Sequence, residues 1–175
     1  LELSEPSQYG ERFKDWHNLP VIPSDFSYEA KPETANQLKI VLSLLNKYKN
    51  DLLLIATDAD REGELIAREC LNNTGTLFNF YKIKRFWVSQ ALTPDVVKAG
   101  VNDSKPLSDY DYLAKQAYSR QHADWLVGMN FTRYLSVAAG TTLPVGRVQT
   151  AILSAIYSRC KEIESFKTEK YFEHY

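Results

Sequence analysis

No cysteine pair, no excess of charge and no long apolar run marks this chain, and each absence excludes a class of protein. The two cysteines, Cys70 and Cys160, lie far apart without a Cys-x-x-Cys pair, and only three histidines accompany them. Neither a zinc site nor a disulfide scaffold is therefore expected. Both thiols fall within apolar helical patterns and read as small core residues of a reducing, intracellular protein. Lys and Arg number 21 against 22 Asp and Glu, a formal charge of -1, so no whole-chain field attracts nucleic acid or anionic lipid and any basic site must be local. The longest aliphatic run, Leu52 to Ala56, falls far short of the roughly 20 apolar residues that cross a bilayer. The first residue is Leu1 rather than Met, no basic-then-apolar signal follows, and the chain stops at Tyr175 inside what reads as a strand. The expectation is an excerpt from a longer protein.

What is present is enough to fold. With 175 residues, 44% of them apolar, the chain suits one ordinary domain or two small ones. Residues 1–31 mix prolines and aromatics without a period and predict a covering loop with short extended pieces. From Pro32, Leu38, Val41, Leu42 and Leu45 recur at helical spacing to about Tyr48, the stripe of an amphipathic helix. Leu52 to Thr57 reads as a strand buried on both faces of a parallel sheet. A helix over about 61–71, a turn over 72–75 and a second strand over 82–89 follow. Thr93 and Pro94 form a helix start, with Thr93 as the cap. Asn102 to Pro106 is the boundary candidate, giving domains 1–106 and 107–175. Beyond it the pattern is helical, over about 108–136 and, after a break at 138–146, over about 148–166. The last helix has the stripe Val148, Ala151, Ile152, Ala155, Ile156, Cys160 and Ile163. The predicted class is α/β, followed by the start of a helical domain.

The most informative stretch is Ile55-Ala56-Thr57-Asp58-Ala59-Asp60-Arg61-Glu62-Gly63-Glu64. Asp58 and Asp60 follow a predicted strand, and Glu62 and Glu64 fall in the first turn of the next helix. Ligands of open parallel sheets bind in that crevice. Four carboxylates within seven residues repel unless solvent or a cation separates them, and hard oxygen ligands suit Mg²⁺. A solvated acidic turn, favoured by the positive end of the helix dipole, explains the same composition.

Residue order adds a resemblance. The Asp-x-Asp-x-Glu pattern of Asp58, Asp60 and Glu62, within "ATDADREGE", resembles the acidic motif of the TOPRIM domain in the version found in type IA DNA topoisomerases. "RQHADWLVGMNFTRYL", Arg120 to Leu135, is similar to the helix that begins the second domain of that family, with wording closer to topoisomerase III than to topoisomerase I. Arg120 and Asp124 stand at i and i+4 there, which equally describes a surface ion pair. "LPVGRVQTAIL", Leu143 to Leu153, resembles the family's Gly-Arg-Val-Gln signature. Gly146 is expected to permit a tight turn, with Arg147 and Gln149 at a helix start that can hold a phosphate. Pro144 stands where Ser is usual and Ala151 where Pro is usual, so hydroxyl contacts of that Ser do not carry over.

The resemblance, which extends over nearly the whole chain, implies an enzyme that cuts, passes and reseals single DNA strands through a 5′-phosphotyrosine, without nucleotide triphosphate. It implies Asp58, Asp60 and Glu62 as the catalytic Mg²⁺ ligands, Arg61 as a phosphate contact, and Arg120, Asp124, Arg147 and Gln149 as DNA-binding residues, with Glu64 supporting the helix start. Single-stranded or negatively supercoiled DNA is the implied partner, together with the remainder of the same polypeptide, in a cytoplasmic, nucleoid-associated setting. The family's first strand, with a further Glu and Lys, is expected to precede Leu1. Its nucleophilic tyrosine, in a Tyr-Pro-Arg-Thr context, is expected beyond Tyr175, so none of the 11 tyrosines is nominated and the segment alone is expected to be inactive. Lys82, Lys84 and Arg85, with Arg120, Arg133 and Arg147, are expected to line a single-strand groove. Phe86 and Trp87 are either base-stacking or core residues, with core favoured for at least one. Two alternatives stay open: another TOPRIM phosphoryl-transfer enzyme, such as a primase or nuclease, and a non-catalytic interaction module.

Overall fold

The computed structural model describes residues 1–73, 75 and 82–174. The chain divides into two compact units, Leu1–Glu11 with Pro23–Ala123, and Arg12–Ile22 with Asp124–Tyr175.

In the first unit the opening forms an antiparallel pair, β1 (Glu2–Leu3) with β2 (Tyr28–Glu29). Pro32–Thr34 makes a 3-10 turn, and α1 runs over Ala35–Lys47. Its stripe residues Leu38, Val41, Leu42 and Leu45 are half-buried, as the helical spacing requires. β3 (Leu52–Ile55) pairs in parallel with β4 (Lys82–Arg85), joined by α2 (Arg61–Asn73) in between, and β4 pairs antiparallel with a short edge strand, β5 (Lys105–Pro106). Parallel neighbours need such a crossover, and a helix supplies it. α3 (Pro94–Asn102) starts at Thr93, whose hydroxyl accepts from the Val96 amide at 3.5 Å. A 3-10 turn over Leu107–Tyr110 then leads into the 29-residue α4 (Asp111–Ala139).

The core here is Ile55, Ala67, Leu71 and Leu107, with Leu45, Leu53 and Ile83 packed against it. Only the carboxyl end of β3 is buried. Leu52 is 55% exposed, which corrects the expectation of a strand covered on both faces: α1 lies against β3 loosely enough to leave a groove of about 290 Å³ between Val41, Leu44, Leu45, Tyr48, Leu52 and Leu53. The turn expected over 72–75 lies only partly within the described residues, where the Gly75 amide donates to the Asn72 carbonyl at 3.4 Å.

In the second unit the segment around Phe13 and Val21 is tied to the second half of α4. Asn130 accepts from the Val21 amide at 2.6 Å and donates to the Val21 carbonyl at 2.9 Å. α4 ends at Gly140, whose φ of +67° is the left-handed conformation that glycine adopts without penalty after a helix. The return loop is pinned by Ser136, which accepts from the Leu143 amide at 2.8 Å, and by Thr132, which accepts from the Val145 amide at 2.8 Å. α5 (Arg147–Glu164) follows. None of its residues is buried, so the apolar stripe is exposed along its length and Cys160 is an exposed thiol rather than a core residue. The described residues after the helix, 165–174, form no strand, and Tyr175 lies outside them. Among the described residues no helix is long and apolar enough to cross a membrane.

Candidate functional site

β3 delivers the acidic turn. Past Ile55 the chain leaves the sheet, and α2 begins six residues later at Arg61. Asp60 caps that helix: its carboxylate accepts from the Gly63 amide at 2.6 Å while its carbonyl accepts from the Glu64 amide at 3.1 Å. This is the N-cap arrangement in which a short polar side chain satisfies an amide that the helix leaves open. Gly63 is required for a different reason. A Cβ there would collide with the Asp58 backbone, so the helix start can lie against the turn only because the side chain is absent. Thr57 completes the closure by donating its hydroxyl to the Gly63 carbonyl at 2.7 Å.

Asp58, Asp60, Arg61 and Glu62 are exposed, with the Glu62 carboxylate accepting from Arg120 at 2.9 Å. Asp58 and Asp60 thus present carboxylates at the carboxyl end of β3, whereas Glu62 is held by an arginine. Among the described residues no group of three His, Cys, Asp or Glu converges as a metal cage.

Glu64 takes a role different from that of its three acidic neighbours. It is fully buried and bridges two arginines, accepting from Arg68 Nε at 2.8 Å and Arg85 Nε at 2.9 Å. Arg68 also donates to the Leu107 carbonyl at 2.8 Å and pairs with Asp111. Arg85 is fully buried as well, so it cannot line a DNA groove. Its guanidinium donates instead to the carbonyls of Asp58 at 2.5 Å, Thr57 at 2.8 Å, Phe86 at 2.8 Å and Ile55 at 3.3 Å. The sequence contained a signal for this burial. Side chains alternate along a strand, so Arg85 shares a face of β4 with Ile83, which packs against the core, while Lys82 and Lys84 share the other.

The same correction applies to Arg133, which is buried, donates to the Phe13 carbonyl at 2.8 Å and lies over the Trp16 ring. Of the two aromatics after β4, Phe86 is core and Trp87 stacks on Tyr110 with ring centroids 4.9 Å apart. Arg85 lies against the Trp87 face.

In the second unit Arg147 forks onto Asp124, with Nε at 2.6 Å and Nη2 at 3.1 Å from its two carboxylate oxygens. These bonds raise the Arg147 pKa above its ordinary value. The pair is partly exposed and leaves Nη1 directed away from that fork. Gln149 is exposed in the first turn of α5. Gly146 does not make a tight turn: its φ of -148° and ψ of 146° are extended backbone, and a Cβ would fit at 3.6 Å from Gln149.

Comparison with known proteins matches two stretches of the chain to family models. Residues 11–91 match the model of the Toprim domain, and residues 108–174 match that of DNA topoisomerase. The chain is 40% identical over 169 residues to DNA topoisomerase 3 of Staphylococcus epidermidis (strain ATCC 12228 / FDA PCI 1200), covering 95% of this chain and 23% of that protein. Likewise, it is 36% identical over 171 residues to DNA topoisomerase 3 of Staphylococcus haemolyticus (strain JCSC1435), covering 97% and 24%. With DNA topoisomerase 3 of Staphylococcus aureus (strain USA300) the identity is 37% over 169 residues, covering 95% and 23%. The chain therefore spans about a quarter of the length of these relatives.

Proposed function

We propose that this segment, whose residues 11–91 match the Toprim domain and 108–174 match DNA topoisomerase, supplies the acidic metal site and part of the single-strand groove of a type IA enzyme of the topoisomerase III kind. The full-length protein then cuts, passes and reseals single DNA strands, with single-stranded or negatively supercoiled DNA as substrate and the nucleophilic tyrosine on another part of the polypeptide. The functional boundary lies at 106/107, and the setting is cytoplasmic, at the nucleoid.

The observation that carries this reading is the pair of exposed carboxylates, Asp58 and Asp60, on a turn whose backbone is fastened from beneath. Their chemistry fits Mg²⁺, a hard cation that keeps several waters and needs only one or two protein carboxylates. Asp58 and Asp60 would hold it, and Glu62 would join after exchanging Arg120 for the ion. When bound, Mg²⁺ supplies positive charge to phosphate oxygens and helps align the cut ends for resealing. The chain's own groups do the rest. Asp60 closes the helix start, Arg61 offers an exposed guanidinium to phosphate, and Arg120, beside Glu62, would add a further guanidinium contact to phosphate. Asp124 orients Arg147 through two hydrogen bonds so that its remaining Nη1 can meet a phosphate oxygen, and Gln149 adds a neutral donor and acceptor.

A primase or nuclease shares the acidic turn, but the match over residues 108–174 to DNA topoisomerase favours the topoisomerase reading. Replacing Asp58 and Asp60 together by Ala in the full-length enzyme should abolish Mg²⁺-dependent relaxation of supercoiled plasmid while leaving single-strand binding in place. Undiminished relaxation would refute the metal assignment. A Mg²⁺ titration that detects no binding would favour the non-catalytic module.

A further inference from the structure

Asp58 lies in a turn without the ladder hydrogen bonds of a strand or helix, so something else must fix the direction of its side chain. Three carbonyls of that stretch, Ile55, Thr57 and Asp58, accept from one guanidinium, that of Arg85. Arg85 is itself held by a buried carboxylate, Glu64, which a second arginine, Arg68, holds from the other side. With the carbonyl of Asp58 drawn inward to Arg85 and its backbone packed closely against Gly63, the exposed carboxylate has a fixed base.

From this geometry we infer that Arg85 is a positioning residue for the metal site: its guanidinium sets the backbone of Thr57 and Asp58, and Glu64 sets Arg85. The inference rests on the reading of Asp58 and Asp60 as Mg²⁺ holders. It follows from the shape of the group. A planar fork with five donors reaches several carbonyls and a carboxylate at once, and a lysine ammonium, a single point with three donors, does not. Residues that orient metal ligands without touching the ion change affinity by about 10- to 100-fold when altered.

The test is Mg²⁺ calorimetry on the full-length protein, with thermal melts recorded for every variant. Arg85→Lys keeps a positive charge beside Glu64 but releases the carbonyls, and should weaken Mg²⁺ binding about 10- to 100-fold. Arg68→Lys disturbs the same buried carboxylate without touching the turn, and should lower the melting temperature while leaving Mg²⁺ affinity within about twofold, because Arg68 contacts none of the metal-holding backbone. Unchanged affinity in Arg85→Lys overturns the inference and leaves the metal reading standing. Equal weakening in both variants also overturns it, since it would show a loosened fold rather than a positioned turn. Equal affinity in wild type and the Asp58→Ala, Asp60→Ala double variant overturns the metal reading and the inference with it. If Arg85→Lys does not fold, Arg85→Gln combined with Glu64→Gln removes the charges of that pair together, leaves Arg68 paired with Asp111, and should show the same loss of affinity. Retained affinity there counts against the inference.

Discussion

Replacing Glu64 by Ala is the sharpest test of how this fold is held. The carboxylate is fully buried and accepts from two guanidiniums, Arg68 at 2.8 Å and Arg85 at 2.9 Å. Removing it leaves both cations in the interior without their shared anion, and breaking a buried pair in this way costs about 3–5 kcal/mol. Arg68 retains Asp111 as a partner, and Arg85 retains its carbonyls but no counter-charge. That places the expected loss at the lower end, about 3–4 kcal/mol, out of the roughly 5–15 kcal/mol typical of a domain. The exposed pairs on α5, such as Arg159 with Glu162, provide the contrast at less than about 0.5 kcal/mol. Glu64→Gln should also destabilise, because its amide nitrogen would face a guanidinium donor. Urea unfolding followed by Trp87 fluorescence, with Trp16 and Trp125 replaced by Phe, reports on the unit that contains the triad. For a slope near 2 kcal/mol per molar, the midpoint should fall by about 1.5–2 M. A shift under about 0.3 M would refute the reasoning. The triple change Glu64→Leu, Arg68→Met, Arg85→Met should recover most of the lost stability, since apolar groups of similar volume often replace a buried ionic triad without penalty. It should not recover Mg²⁺ affinity, because Met cannot donate to the Thr57 and Asp58 carbonyls.

Further outcomes are expected at other positions. The isolated segment 1–175 should form no covalent adduct with supercoiled plasmid in the presence of Mg²⁺, and an adduct on any of its own tyrosines would place the nucleophile inside it. Arg147→Ala should weaken single-strand binding across sequences and flatten its salt dependence by about one unit of slope or less, whereas Gln149→Ala should leave the slope unchanged. Salt-titrated fluorescence anisotropy separates the two, and an unchanged slope for Arg147→Ala would confine that residue to its Asp124 pair. Burial lowers the pKa of His122, which stacks on Phe26 at 3.9 Å. The unfolded chain therefore takes up a proton at higher pH than the folded one, and the contribution of His122 to stability, complete above about pH 6.5, should be lost as pH falls below it. His122→Phe should remove that part of the acid sensitivity in melts recorded across the range. Gly63→Ala should destabilise by about 1–3 kcal/mol or more through collision with the Asp58 backbone, read as a lower midpoint in urea.

Local features of the chain were legible in the sequence because their causes are local. Helical spacing placed α1, α4 and α5 to within a few residues, Thr93 and Pro94 marked the start of α3, and the aliphatic run marked β3. The order of Asp58, Asp60 and Glu62, with the two later motifs, carried the family. What escaped the sequence depends on partners distant along the chain. Arg85 reads as part of a basic cluster until Glu64 and the carbonyls at the end of β3 close around it, and Arg133 reads as a groove residue until the Phe13 carbonyl takes it. Glu62 reads as a ready metal ligand until Arg120, on another helix, claims its carboxylate. The pairing of β4 with Lys105–Pro106 was likewise invisible, because two residues have no period. A charged side chain has the same local appearance whether solvated or buried. Only the tertiary structure decides which, because burial requires a counter-charge and acceptor carbonyls to converge from separate elements.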